Sequence, residues 1–173
     1  MKNLTSLFLV LALFFGIAAQ KAKAQAIVTA QVFAEVIEAL TATETSQLNF
    51  GKFTPDVQGG QITVSPEGTR SKSGSVILSG AIANSGIFRV TGAPKATFTV
   101  QLPSTISLSH QNSEKTMLVS NWISTPQQGS GTGLLANNGE QYIYIGATLQ
   151  VGSISANPVG IYTGTYDLTF AYN

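Results

Sequence analysis

The side chains able to do chemistry are few and scattered. The sequence holds one histidine, His110, inside the polar stretch Ser109-His110-Gln111-Asn112-Ser113-Glu114-Lys115. A general base needs a nucleophile and an orienting acid within hydrogen-bond reach. No Gly-x-Ser-x-Gly turn accompanies this histidine, and an exposed loop position is the simpler reading of it. Downstream of the first 24 residues lie eight acidic residues: Glu35, Glu38, Glu44, Asp56, Glu67, Glu114, Glu140 and Asp167. Glycoside hydrolysis needs two carboxylates facing across a cleft, and nothing in this spacing selects a pair. Calcium calls for an alternating Asp/Asn loop, which is missing. Cysteine is absent, which removes disulfides, thiolate metal sites and cysteine nucleophiles together. Gly129-Ser130-Gly131-Thr132-Gly133 lacks the Lys-Ser/Thr pair of a phosphate-binding loop and is expected as a flexible surface loop. No catalytic residue, metal ligand or cofactor is therefore expected, and the protein reads as a non-enzyme.

Two aromatic features remain. Tyr142 and Tyr144 fall on the polar side of an alternating run, where two exposed rings could stack on a sugar or anchor a protein contact. The plainer account is that they cover the sheet or pair across strands. Trp122 reads as a core or rim residue.

Position requires a scaffold, and 173 residues with 10% charged and 43% hydrophobic content describe one folded domain rather than a disordered chain. Residues 1–24 have the layout of a secretory signal peptide: Lys2, then an almost wholly apolar run over 4–19, then Ala22-Lys23-Ala24 for cleavage. The apolar run falls short of the roughly 20 residues of a membrane span. With residues 1–24 removed, six basic residues face eight acidic ones, so the formal charge turns from +1 to −2. Neither value offers a basic footprint for nucleic acid. The expectation is an exported protein, in the periplasm, at the cell surface or outside, with no membrane insertion after cleavage.

The remainder, 25–173, alternates with period two, which sends each apolar set to one sheet face. Phe98, Val100 and Leu102 share a face. So do Ile143, Ile145, Ala147, Leu149 and Val151, and so do Tyr166, Leu168, Phe170 and Tyr172. Shorter runs over 48–53, 61–65, 75–78, 87–91 and 117–124 add candidates, with Asn137-Asn138-Gly139, Pro66-Glu67-Gly68 and Asn157-Pro158 as turns. Eight or nine strands without a long helix predict an all-β antiparallel sandwich or barrel. Residues 26–40 fit two patterns. Val28, Ala30, Val32, Ala34 and Val36 alternate as a strand, while Val32, Phe33, Val36, Ile37 and Leu40 keep helical spacing.

Four stretches in order carry a resemblance: Glu38-Ala39-Leu40-Thr41-Ala42-Thr43, Leu48-Asn49-Phe50-Gly51-Lys52-Phe53, the run Ile62 to Arg70, and the ending Gly160 to Asn173. Together they resemble the exported bacterial domain of unknown function 4402, itself similar to the spore coat protein U domain and to subunits of archaic chaperone–usher pili. That resemblance implies a single immunoglobulin-like β-sandwich and makes 26–40 a strand. Those relatives usually carry a cysteine near the position of Ala39, which this chain lacks. The function expected is a structural or interaction protein of the bacterial envelope, pilus-like, whose partner is itself or a related subunit by β-augmentation. Val28, Ala30, Val32, Ala34 and Val36 are then the strand-exchange segment. The alternative is a surface module that binds a glycan or protein through Tyr142 and Tyr144.

Overall fold

The computed structural model describes residues 25–80, 82–127 and 129–173; the expected signal peptide lies outside the described residues. The chain divides into two units, residues 1–35 and 36–173. In the first, residues 25–35 form neither helix nor strand and are exposed throughout. The second contains every described strand. They are β1 Thr41–Ser46, β2 Phe53–Val64, β3 Arg70–Leu78, β4 Gly86–Thr91, β5 Thr97–Gln101, β6 Ile106–His110, β7 Thr116–Thr125, β8 Gly129–Leu134, β9 Glu140–Val151, β10 Tyr162–Thr163 and β11 Thr169–Tyr172. No helix occurs among the described residues. The all-β expectation stands, with eleven strands in place of eight or nine.

All pairing is antiparallel. Eight strands form one sheet in the order β1-β4-β9-β7-β6-β10, with β2 joined to β9 and to β3; the other three form β11-β5-β8. Strand β9 is the hinge of this plan. Its first half pairs with β4 (Tyr142↔Arg89, Tyr144↔Ile87), and its second half pairs with β2 (Thr148↔Thr63, Leu149↔Ile62). The alternation seen in the sequence explains the first half: Ile143 and Ile145 are fully buried while Tyr142 and Tyr144 stay exposed. In the second half Thr148 is buried as well, and its hydroxyl is satisfied by Thr63 at 2.9 Å. A buried hydroxyl is tolerated only when bonded in this way. The core gathers Ile62, Val64, Val76, Val90, Ile143 and Ile145 from the larger sheet and Phe98 from the smaller, all at zero exposure.

Four expectations need correction. Residues 26–40 are neither strand nor helix; they run unpaired, and Val28, Val32, Phe33 and Val36 are at least 85% exposed. Alternation supplies an apolar face, but a strand also needs an edge to pair with. The run over 48–53 is mostly loop, held by a single bridge between Asn49 and Asn84. The ending is broken: β10 and β11 pair with different strands, and 164–168 between them belong to no ladder. Gly129 to Gly133 is no loop but part of β8, paired to β5 through Gly133↔Phe98 and Gly129↔Val100. The reason is steric: a Cβ at Gly133 would collide with the Phe98 ring, so the large buried aromatic requires glycine opposite it.

Candidate functional site

An apolar cleft of about 960 Å³ lies in the second unit. The larger sheet has free edges at β1, β10 and, on its branch, β3; the first two border this cleft. Glu44 of β1 and the stretch 47–55 form one wall; residues 157–166, including β10, form the other. The floor comes from the core side of β7 and β9, through Met117, Val119, Trp122 and Leu149, which are 6% exposed or less. Exposed Ile154, Val159 and Ile161 stand on the rim.

Both walls offer free backbone. Strand β1 pairs with β4 alone, β10 with β6 alone, and residues 164–168 with no described strand. An unpaired edge beside an apolar floor is a template for an added strand, because it supplies main-chain donors and acceptors along a surface that takes alternate side chains.

Two residues of the lining each carry an unsatisfied polar atom. Trp122 Nε1 and the Tyr166 hydroxyl both lack a hydrogen-bond partner in the protein and are sealed from its surface, and their rings pack 4.8 Å apart. Burial pushes the Tyr166 hydroxyl up to about 12, with a smaller contribution from the Glu44 carboxylate. Tyr162 on the same wall is also raised by burial, against the opposing effect of Asn157, but its hydroxyl donates to Pro158 O at 3.0 Å. Asn157 is buried and fully engaged: Gly152 N donates to its Oδ1 at 2.6 Å, and its Nδ2 donates to Thr116 O at 2.9 Å. This wall is therefore held in place by its own polar contacts.

His110 ends β6, half-buried rather than on an exposed loop. Asn112 N donates to its Nδ1 at 3.1 Å, which puts the proton on Nε2, facing Val159 O at 3.2 Å. Its ring meets Tyr162 edge-on at 4.9 Å. Both nitrogens serve structure, fixing the 157–162 wall to β6. Among the described residues, no three His, Asp or Glu side chains come close enough to hold a metal ion. Glu140 ion-pairs with Arg89 across the β4–β9 ladder.

Tyr142 and Tyr144 lie where the alternation puts them, 45% and 38% exposed on the outer face of β9. Their cross-strand neighbours are Arg89 and Ile87 of β4, and Tyr144 also meets Thr125 of β7. They are not part of the cleft. Sequence reasoning missed the cleft itself, because its floor and walls come from separate stretches of chain. The one local signal was Gly164-Thr165-Tyr166, which carries the unpaired wall and the unsatisfied hydroxyl.

A family model described as a domain of unknown function, DUF4402, matches residues 40–172, well over half of the chain. The chain belongs to the DUF4402 family. The DUF4402 match opens at Leu40, one residue ahead of β1, so it contains the whole cleft and leaves 25–39 outside. No curated protein and no solved structure matches the chain.

Proposed function

We propose that this DUF4402 protein is an exported, non-catalytic structural subunit of the bacterial envelope or surface, assembling in a pilus-like manner through strand addition. In this reading the two sheets form an immunoglobulin-like sandwich that lacks one strand. The segment carrying Val28, Ala30, Val32, Ala34 and Val36 supplies that strand to the cleft of a second copy. The observation that carries the reading is the pair of unpaired sheet edges, β1 and β10, that border one apolar cleft. The same chain also holds an exposed, unpaired segment with the alternation such a floor accepts.

Physical economy favours the match. A strand of about twelve residues extends roughly 40 Å and presents alternate side chains to one face. In water the segment exposes Val28, Val32 and Val36 at no gain; in a cleft their burial is favourable at about 25 cal/mol per Å². Main-chain bonds to the open edges supply affinity, and side-chain pockets supply choice of partner.

The test is the mass of the exported protein in solution, by size-exclusion chromatography with light scattering, before and after removal of 25–36. Oligomers or ladders that vanish on trimming are expected, with the trimmed chain still folded. A strictly monomeric full chain at high concentration, its N-terminal segment resistant to protease, would overturn the proposal.

A further inference from the structure

The charged groups of the cleft are few and unevenly placed. Among its lining residues only Glu44 and Lys52 are charged, and both stand on the 44–55 wall. Lys52 is exposed, and its backbone is held from two sides. Arg70 Nη1 donates to Phe50 O at 3.1 Å and to Lys52 O at 3.3 Å, and its Nη2 donates to Ser79 O at 2.7 Å. Ser79 N donates to Lys52 O as well, at 3.0 Å. A guanidinium can serve three carbonyls in this way because its donors form a rigid planar fork. Among the described residues the only ion pair joins Arg89 to Glu140, so neither Lys52 nor Arg70 has a carboxylate partner. Two cations at one place with no carboxylate of their own draw an incoming anion.

The segment 25–37 carries one such anion. The next residue, Glu38, is tied to its own domain, because Glu38 O accepts from the Tyr172 hydroxyl at 2.8 Å. Ahead of that tie every side chain is neutral except Glu35. We infer that Glu35 of the segment donated by a second copy of this chain pairs with Lys52 of the acceptor, and that the pair fixes the direction in which the strand lies in the cleft. The inference rests on the strand-addition reading and deepens it. The alternation of Val28, Ala30, Val32, Ala34 and Val36 reads the same from either end, so an apolar floor by itself accepts the strand in both directions. Charge decides between them. A strand whose C-terminal end lies at Lys52 gains an attraction, while the reversed strand sets its apolar start beside the cation. Glu44 on the same wall repels any placement that brings Glu35 to it. When the valines face inward, Glu35 alternates to the outer side, at the exposed rim with Lys52 and away from the floor. Both charges then stay hydrated, and the pair selects a direction more than it adds affinity.

The experiment measures self-association of the exported full chain by sedimentation equilibrium, at low salt and at about 1 M salt, where charges are screened beyond roughly 3 Å. The wild type is compared with Lys52→Glu, Glu35→Lys, the double variant, and Lys115→Glu. The last makes the same change of net charge between β6 and β7, outside the cleft lining. Each copy both donates and accepts, so a single reversal puts like charges at every contact and the double variant puts opposite charges back. At low salt each single reversal of the pair is expected to weaken association about tenfold, since it removes an attraction and adds a repulsion. The double variant should return to within about twofold of the wild type, and Lys115→Glu should match it. Near 1 M salt the differences should shrink to about twofold or less. Three results overturn the pair and leave strand addition intact: single variants as tight as the wild type, a double variant no tighter than the singles, or Lys115→Glu weakened as much as Lys52→Glu. A wild-type chain that stays monomeric at every concentration and salt overturns both. Lys52 and Glu35 are exposed, so their reversal should leave the fold intact, and circular dichroism of each variant checks this.

Discussion

Tyr172 and Tyr166 sit six residues apart on the same C-terminal stretch, and each places its ring against a glycine flanking or opening β4. Tyr172 lies over Gly92, and its hydroxyl is saturated: it donates to Glu38 O at 2.8 Å and accepts from Ala93 N at 2.8 Å. Its backbone belongs to β11, laddered to Phe98. Tyr166 lies over Gly86, its hydroxyl has no partner, and its backbone is in no ladder. One end of the domain is finished and the other is open. What differs is that one hydroxyl is paired and its backbone laddered, while the other has neither. Tyr166 also lines the apolar cleft, so its unpaired hydroxyl and unladdered backbone lie on the cleft wall.

The comparison is broken most forcefully by substitution in the two apolar regions. Ile143→Ala, at zero exposure in the closed core, is expected to cost about 2–5 kcal/mol. Leu108→Ala, half-buried on the cleft, should cost well under half as much in the dissociated chain while weakening self-association. Equal costs in denaturant melts would mean that the cleft is packed as tightly as the core. A finer test uses the two tyrosines. Tyr172→Phe removes two hydrogen bonds and should lower stability by about 1–2 kcal/mol. Tyr166→Phe should leave the Tm of the dissociated chain unchanged or raise it, since it deletes an orphaned group. The reverse order would show that the Tyr166 hydroxyl already has a partner.

The smallest expected effect is in alkaline titration. Burial holds Tyr166 in its neutral form, raising its value from 10.0 to about 12. The unfolded chain ionises at the ordinary tyrosine value, so the stability linked to this group is complete below about pH 10 and is lost as pH rises through about 12. Tyrosinate absorbance should show a late step near pH 12 from this residue, and Tyr166→Phe should abolish that step. Ionisation of Tyr166 near the ordinary tyrosine value would place it in contact with water.

Much of the scaffold was legible in the residues. The runs at 96–102, 117–124 and 141–151 became β5, β7 and β9 with shifts of a residue or two, because a two-residue period with one buried face admits no other sheet placement. The exposure of Tyr142 and Tyr144 followed from the same rule. Strands β1, β6, β8 and β10 escaped notice, being short, polar or glycine-rich. The Gly129 to Gly133 run reads locally as a flexible loop, and only the Phe98 ring across the ladder makes it a strand. His110 reads as a loop residue until Tyr162 and Val159, some fifty positions later, close over it.

The residues by themselves determined the all-β class, the inward and outward faces of the long strands, and the lack of any clustered catalytic side chains in sequence. Each is a property of spacing along one stretch. Tertiary structure alone decided that 26–40 stays unpaired, that the edges β1 and β10 border one cleft, and that Trp122 and Tyr166 pack together on its lining with unpartnered polar atoms. Alternation states which side of a strand is apolar but not which edge it will find, because hydrogen-bonding edges are supplied by residues far away in the chain.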